Sequence, residues 1–265
     1  FLVQFPGWWP VVKELREIFG AKVVFDCMDN HAGFSTNTPL ALDLEEELIS
    51  KSDLVVASSM FLEAKCKTLN NRTLLIKNAT EPDHFSNALS NGIIPELCTR
   101  PVVGYHGAIS DWFDIGLIEY CATQKPDMNF VLIGSTTGCD IGSVGALHNV
   151  FFLGEIPYSE LPGFVADFDI GIIPFKINPL TNATNPVKFY EYLSAGKAVV
   201  STKLPELEPY GSMCLLSENR SEFLENIELA LQNLGSADSI NERLRIARLN
   251  SWDERASVLY NAIKP

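Results

Sequence analysis

Short apolar runs alternate with helix-length patterns along most of this chain of 265 residues, and that alternation points to folds built on parallel sheets with crossover helices. The spacing predicts strands over 1–5, 22–27, 54–57 and 73–77, with helices over 11–19, 40–51 and 60–69 between them. Residues 78–100 turn polar and carry Pro82, Gly92 and Pro95, the composition of a linker. A second series then predicts strands over 101–107, 129–134, 150–153, 170–174 and 198–202, with helices over 113–122 and 161–166 and a capped helix after residue 185. The simplest account is α/β: two Rossmann-like, doubly wound parallel-sheet domains. The division expected is 1–95 and 96–250, followed by a C-terminal helix over 251–265 with Ala256, Leu259, Tyr260 and Ile263 on one apolar face. The chain opens on Phe1 in what reads as a buried strand, so the first domain is expected to be incomplete.

The formal net charge of −13 argues against a nucleic-acid surface or a polybasic membrane patch. No apolar run approaches the roughly 20 residues that span a bilayer, and no signal peptide opens the chain, so a cytoplasmic location is expected. Cys27, Cys66, Cys98, Cys121, Cys139 and Cys214 are scattered without metal-ligand spacing, which predicts neither a zinc site nor a disulfide framework. Glu45-Glu46-Glu47 reads as a solvated helix face.

The segment from Asn185 to Thr202 carries the densest signal. Asn185 suits an N-cap, Pro186 the first helical position and Gly196 the position just past the helix end. The open N-terminus of such a helix favours an anion, and Glu191 shares a face with Val187 and Lys188. An ordinary surface helix between two strands would carry the same boundaries. The unit resembles the C-terminal signature of family-four glycosyltransferases of the GT-B fold, glycosyl transferases group 1, with Ala198 where the signature has proline. The resemblance implies that Glu191 is the second glutamate of a Glu-x7-Glu motif and binds the ribose hydroxyls of a nucleotide-diphosphate sugar. The first glutamate falls at Ala183, so this chain departs from the pattern there.

On the same resemblance, the turn at His106 and Gly107 is the first βα turn of the nucleotide-binding domain, but Ile109-Ser110-Asp111-Trp112 lacks the family's arginine and lysine. Lys188 is the nearest replacement. Ser135 lies in a nucleotide-facing turn, and Gly154 and Ile156 lie in the segment that clasps the base. The polar loop over 174–185, with Asn182, Thr184 and Asn185, is expected to contact the donor sugar and phosphates, aided by backbone amides over 184–188 that include Pro186's neighbours. Asp29 and His31 end a strand of the first domain at the position where a His/Asp pair faces the acceptor, and they are the candidate catalytic residues. Taken together, the expectation is a hexosyltransferase-like enzyme that retains anomeric configuration, needs no cofactor or metal, and works in bacterial cell-surface polysaccharide synthesis. It would use a nucleotide sugar and a saccharide or lipid-linked acceptor, approaching a membrane only through that acceptor. Two rivals are a nucleotide-sugar epimerase on the same fold and a non-catalytic nucleotide- or carbohydrate-binding module, the latter favoured by the missing glutamate.

Overall fold

The computed structural model describes residues 1–34, 37–99 and 101–264. The chain forms two units: the first comprises Phe1–Asn78, Asn178–Asn185 and the last helix from Asp253 on, the second Ala79–Ile177 and Pro186–Trp252.

In the first unit, β1 (Leu2–Val3), α1 (Trp9–Phe19), β2 (Val24–Cys27), α2 (Pro39–Lys51), β3 (Leu54–Ala57), α3 (Met60–Lys67) and β4 (Thr73–Leu75) follow one another. The strands pair in parallel in the order β1-β2-β3-β4. Helix starts follow local chemistry: the Thr38 hydroxyl accepts from the Ala41 amide at 3.3 Å and the Ser59 hydroxyl from Leu62 at 3.2 Å. Phe25, Val55 and Ala57 meet Leu48, Ile49 and Leu62 in a core that also takes in Ala183. The predicted first strand is shorter than its apolar run. Pairing with β2 ends at Val3, and Pro6 opens a tight turn at Pro6–Trp8, so that Phe5 between them is 51% exposed. The reading of Glu45 as solvated is also corrected: Glu46 is exposed, but Glu45 is 1% exposed and faces inward from α2.

The second unit begins within the expected linker. Residues 79–99 contain α4 (Pro82–Ser86) and α5 (Ile93–Leu97), and Phe85 and Ile94 are buried in this unit's core, so the segment is part of the fold. The unit continues with β5 (Val102–His106), α6 (Ile115–Gln124), β6 (Asn129–Ile133), β7 (Val150–Gly154), α7 (Leu161–Val165), β8 (Ile170–Ile173), α8 (Val187–Ser194) and β9 (Ala198–Thr202). Then come β10 (Cys214–Ser217), α9 (Arg220–Gln232) and α10 (Ala237–Leu249), which the sequence pattern left unassigned; the last helix, α11 (Trp252–Ile263), belongs to the first unit from Asp253 on. The six strands are parallel in the order β10-β9-β8-β5-β6-β7. The order reverses between β5 and β8, the doubly wound arrangement in which ligands bind beyond the carboxyl ends of the strands near the reversal.

Helix α8 is set against that reversal. Phe189, Tyr190, Tyr192 and Leu193 are fully buried, so the helix is part of the core and its register is fixed by packing. Its end is a Schellman motif, with Gly196 at φ 70°, Gly196 N–H donating to Leu193 O at 3.0 Å and Lys197 N–H to Tyr192 O at 2.9 Å. Arg243 from α10 donates to Gly196 O at 3.0 Å and holds that end in place. The helix starts one residue later than predicted: Pro186, in extended conformation, takes the N-cap position expected of Asn185. Among the described residues, no helix is long and apolar enough to cross a membrane.

Candidate active site

A cavity of about 590 Å³ opens at the carboxyl ends of β5, β6 and β7 in the second unit. His106, Gly107 and Ala108 after β5, and Ile133, Gly134 and Ser135 after β6, form one side of it. Glu155 to Tyr158 after β7, with Leu161, form a second side, and Val187, Lys188 and Glu191 of α8 complete it. Tight backbone approach shapes the floor. A Cβ on Gly134, whose φ is +143°, would lie 2.1 Å from Gly107 O, so only glycine fits. Gly107, at φ +115°, leaves room for the Lys188 side chain, whose Cε would otherwise lie 2.4 Å from a Cβ.

Glu191 is the charge centre of the cavity. It is 6% exposed, and burial pushes its carboxyl up to about 7, with Glu81 adding to the rise and Lys188 opposing it. Burial in turn lowers the Lys188 ammonium from its ordinary value, while Glu191 supports it. The ammonium sits over the rings of Tyr105 and Phe175, 5.3 and 5.5 Å from their centroids, which supply a cation–π cradle. His106 Nε2 lies 3.5 Å from Glu191 Oε2. Burial, and then Lys188, depress that imidazole to about 3, so the ring is neutral at physiological pH and the contact is not an ion pair. Its buried Nε2 lacks a hydrogen-bond partner among the described residues. The His106 backbone N–H donates to Tyr192 Oη at 3.1 Å, tying the end of β5 to α8. At the rim, His84 stacks on Tyr158 at 4.5 Å between centroids and its Nε2 lies 2.9 Å from Tyr158 O.

Of the residues singled out for a nucleotide, His106, Gly107, Ser135, Ile156, Val187, Lys188 and Glu191 line this cavity. Gly154 does not; at φ +71° it turns the chain after β7, and its carbonyl accepts from Gly134 N–H at 2.7 Å. Asn182, Thr184 and Asn185 belong to the first unit, where the Thr184 hydroxyl donates to Leu180 O at 2.9 Å and Asn185 O accepts from Asn78 at 2.6 Å. The Thr184 amide is used on Thr181 O at 3.1 Å, so among the described residues the open donors of the helix start are the first-turn amides of Val187 and Lys188. Nothing in the sequence signals that the Tyr105 and Phe175 rings cradle Lys188 or that Glu81 acts on Glu191; tertiary packing brings these groups together.

In the first unit, Asp29 and His31 follow β2 at the carboxyl end of its sheet. Burial raises the Asp29 carboxyl, and His31 opposes the rise. His31 Nδ1 lies 3.1 Å from Glu45 Oε1. Among the described residues, no group of three or more His, Cys, Asp or Glu side chains could hold a metal ion.

The doubly wound second unit thus sets a buried carboxyl and a cradled ammonium into one cavity at its strand ends. The model of the glycosyl transferases group 1 family matches residues 100–233, just over half of the chain, and the chain belongs to that family. It is 28% identical over 274 residues to TuaH of Bacillus subtilis (strain 168), named as a teichuronic acid biosynthesis glycosyltransferase, covering 94% of this chain and 68% of that protein. In fold it is similar to the sucrose-phosphate synthase of Thermosynechococcus elongatus, with a TM-score of 0.80 at 16% identity over 98% of this chain and 71% of the other. It is also similar to Anabaena HepE in complex with UDP, with a TM-score of 0.78 at 18% identity over 99% and 78% of the two chains. Both likenesses are to GT-B proteins, and the chain has that α/β fold, with two parallel sheets of four and six strands.

Proposed function

We propose that this glycosyltransferase holds a nucleoside-diphosphate sugar in the second unit and passes the sugar to a saccharide or lipid-linked acceptor engaged by the first. The observation that carries the reading is the joint placement of a buried carboxylate, a cradled ammonium and open helix amides at the strand-end cavity. In this reading Glu191 accepts hydrogen bonds from the ribose hydroxyls, and Ile156, Leu161 and the adjoining backbone face the base. Lys188 and the Val187 and Lys188 amides take the diphosphate. As the bond from the sugar's anomeric carbon to the diphosphate breaks, negative charge builds on the departing oxygen, and these preorganised donors stabilise it without a metal. His31, with Asp29 beside it, orients the acceptor hydroxyl. That oxygen bonds to the anomeric carbon and its proton ends on the departing diphosphate, with retention of configuration, as the family resemblance implies.

The naming of TuaH as a teichuronic acid biosynthesis glycosyltransferase supports a bacterial cell-surface polysaccharide as the setting, and HepE's complexes with UDP and UDP-glucose support a uridine donor. The reaction is placed on the cytoplasmic side, a membrane being met only through a lipid-linked acceptor. Release of nucleoside diphosphate from UDP- and GDP-sugars, with and without alkyl glycosides as acceptors, tests the reading, and the anomeric proton coupling of the product tests retention. Absence of both turnover and nucleotide binding would refute it. A second reading, the non-catalytic binding module, is favoured by Ala183, which stands where the motif has a carboxylate and is 1% exposed in the first unit's core. Tight nucleotide binding with no turnover of any donor selects that alternative.

A further inference from the structure

Glu45 is the one residue of its acidic run that the fold takes out of water. Its side chain is 2% exposed, and its two oxygens face His31 and Lys65 on different elements, with the Cys27 thiol a more distant donor to Oε1 at 4.0 Å. Oε2 accepts from Lys65 Nζ of α3 at 2.9 Å, and Oε1 lies 3.1 Å from His31 Nδ1. Burial alone would push the carboxyl up, but the hydrogen bonds from His31 and Lys65 outweigh it and hold the group below its usual value. Glu45 is therefore ionised at neutral pH and can only accept, which requires the proton of a neutral His31 ring to sit on Nδ1.

The rest of the geometry keeps that ring in place. His31 O accepts from Asn37 Nδ2 at 2.8 Å, and Gly33 lies so close to Leu180 that an added Cβ would fall 2.9 Å from its Cβ. The imidazole retains 12% of its surface, and Nε2 has no hydrogen-bond partner among the described residues. A purely structural ion pair between α2 and α3 would need only Glu45 and Lys65. The additional ring, fixed at one nitrogen and open at the other beyond the carboxyl end of a parallel strand, is what a positioned hydrogen-bond acceptor requires.

We propose that Glu45, neutralised from behind by Lys65, is a positioning residue: it locks His31 in the Nδ1–H tautomer so that Nε2 presents a lone pair to the acceptor hydroxyl. This rests on the reading of the first unit as the acceptor side. The titratable groups that face the ring and its partner are Asp29, Lys65, Cys27 and Cys66.

The test begins with ¹⁵N spectra of the imidazoles at about pH 8, where an unperturbed histidine is neutral. The chain has four histidines, and a His31→Asn variant assigns the signal. The parent protein should show a single Nδ1–H tautomer at His31, and Glu45→Gln a mixture, with Glu45→Asp restoring the lock in part. Lys65→Met, which spares the His31 contact, should keep the tautomer. In turnover with UDP-glucose and alkyl glucosides, Glu45→Gln should lower kcat about 10- to 100-fold while UDP affinity stays unchanged, less than a full proton-transfer role because the amide still accepts a weak hydrogen bond. An Nε2–H tautomer in the parent, or spectra identical in parent and Glu45→Gln, overturns the lock. A lock that holds in the spectra, with turnover unchanged in both Glu45→Gln and His31→Asn, instead overturns the acceptor role of His31.

Discussion

Glu191→Gln should make the protein more stable against unfolding in alkaline solution while weakening its grip on a nucleotide. In the folded chain burial raises the carboxyl from 4.5 to about 7, so between those pH values the folded state holds a proton that the unfolded state has released. Stability from this group is therefore full at low pH and falls as pH rises through the window. At about 1.4 kcal/mol per pH unit, the interval from 4.5 to about 7 is worth about 3 kcal/mol. His106, depressed from 6.5 to about 3 by burial, acts with the opposite sign, adding stability as pH rises toward 6.5, so the parent protein alone shows a flattened profile. The difference between parent and variant isolates Glu191. In urea denaturation followed by the tryptophans of the second unit, Trp112 and Trp252, Glu191→Gln should gain up to about 3 kcal/mol relative to the parent between pH 5 and 8. The same carboxyl governs binding. If the ribose needs it ionised, UDP affinity of the parent should rise about tenfold from pH 6 to 8 beyond any rise in Glu191→Gln. A parent-to-variant stability difference that stays constant with pH would show that the carboxyl ionises normally and would refute the argument.

Lys188→Met should cost about 1.5–3 kcal/mol of UDP binding, since it removes a charge-assisted contact, but leave uridine binding nearly unchanged; calorimetric titration of both ligands separates the two. Gly134→Ala should destabilise by more than 2 kcal/mol, seen as a lowered urea midpoint, because its Cβ would meet backbone at 2.1 Å and no side chain can yield. Tyr192→Phe removes the acceptor for the His106 N–H, a loss of about 1–3 kcal/mol in the same assay, and should weaken UDP binding by loosening the end of β5 from α8.

The element sequence was largely legible because strands and helices announce themselves locally. Caps such as Ser59 and turn residues such as Gly196 fix boundaries within a few residues, and Gly196 stands just past the helix end as expected. At Asn185 a good cap residue in the right place loses to context: the N-cap position falls on Pro186, and the Asn185 carbonyl accepts from Asn78. Residues 78–100 contain the break between the two units, after Asn78, but the rest of the segment is folded and is not a bare linker. Proline and glycine mark breaks in the chain, yet Phe85 and Ile94 are apolar enough to hold the segment in a core.

What the sequence by itself determined is the alternating α/β pattern, the parallel sheets it demands and a helix carrying Lys188 and Glu191 on one face, because each rests on periodicity and capping over a few residues. The tertiary structure alone decided which charges are in water. Glu45 and Glu46 are neighbours in the chain, yet one is locked between His31 and Lys65 and the other is exposed. Glu191 reaches a proton affinity near neutrality for the same reason. Desolvation and pairing depend on what distant elements bring alongside a group, and no local pattern encodes that.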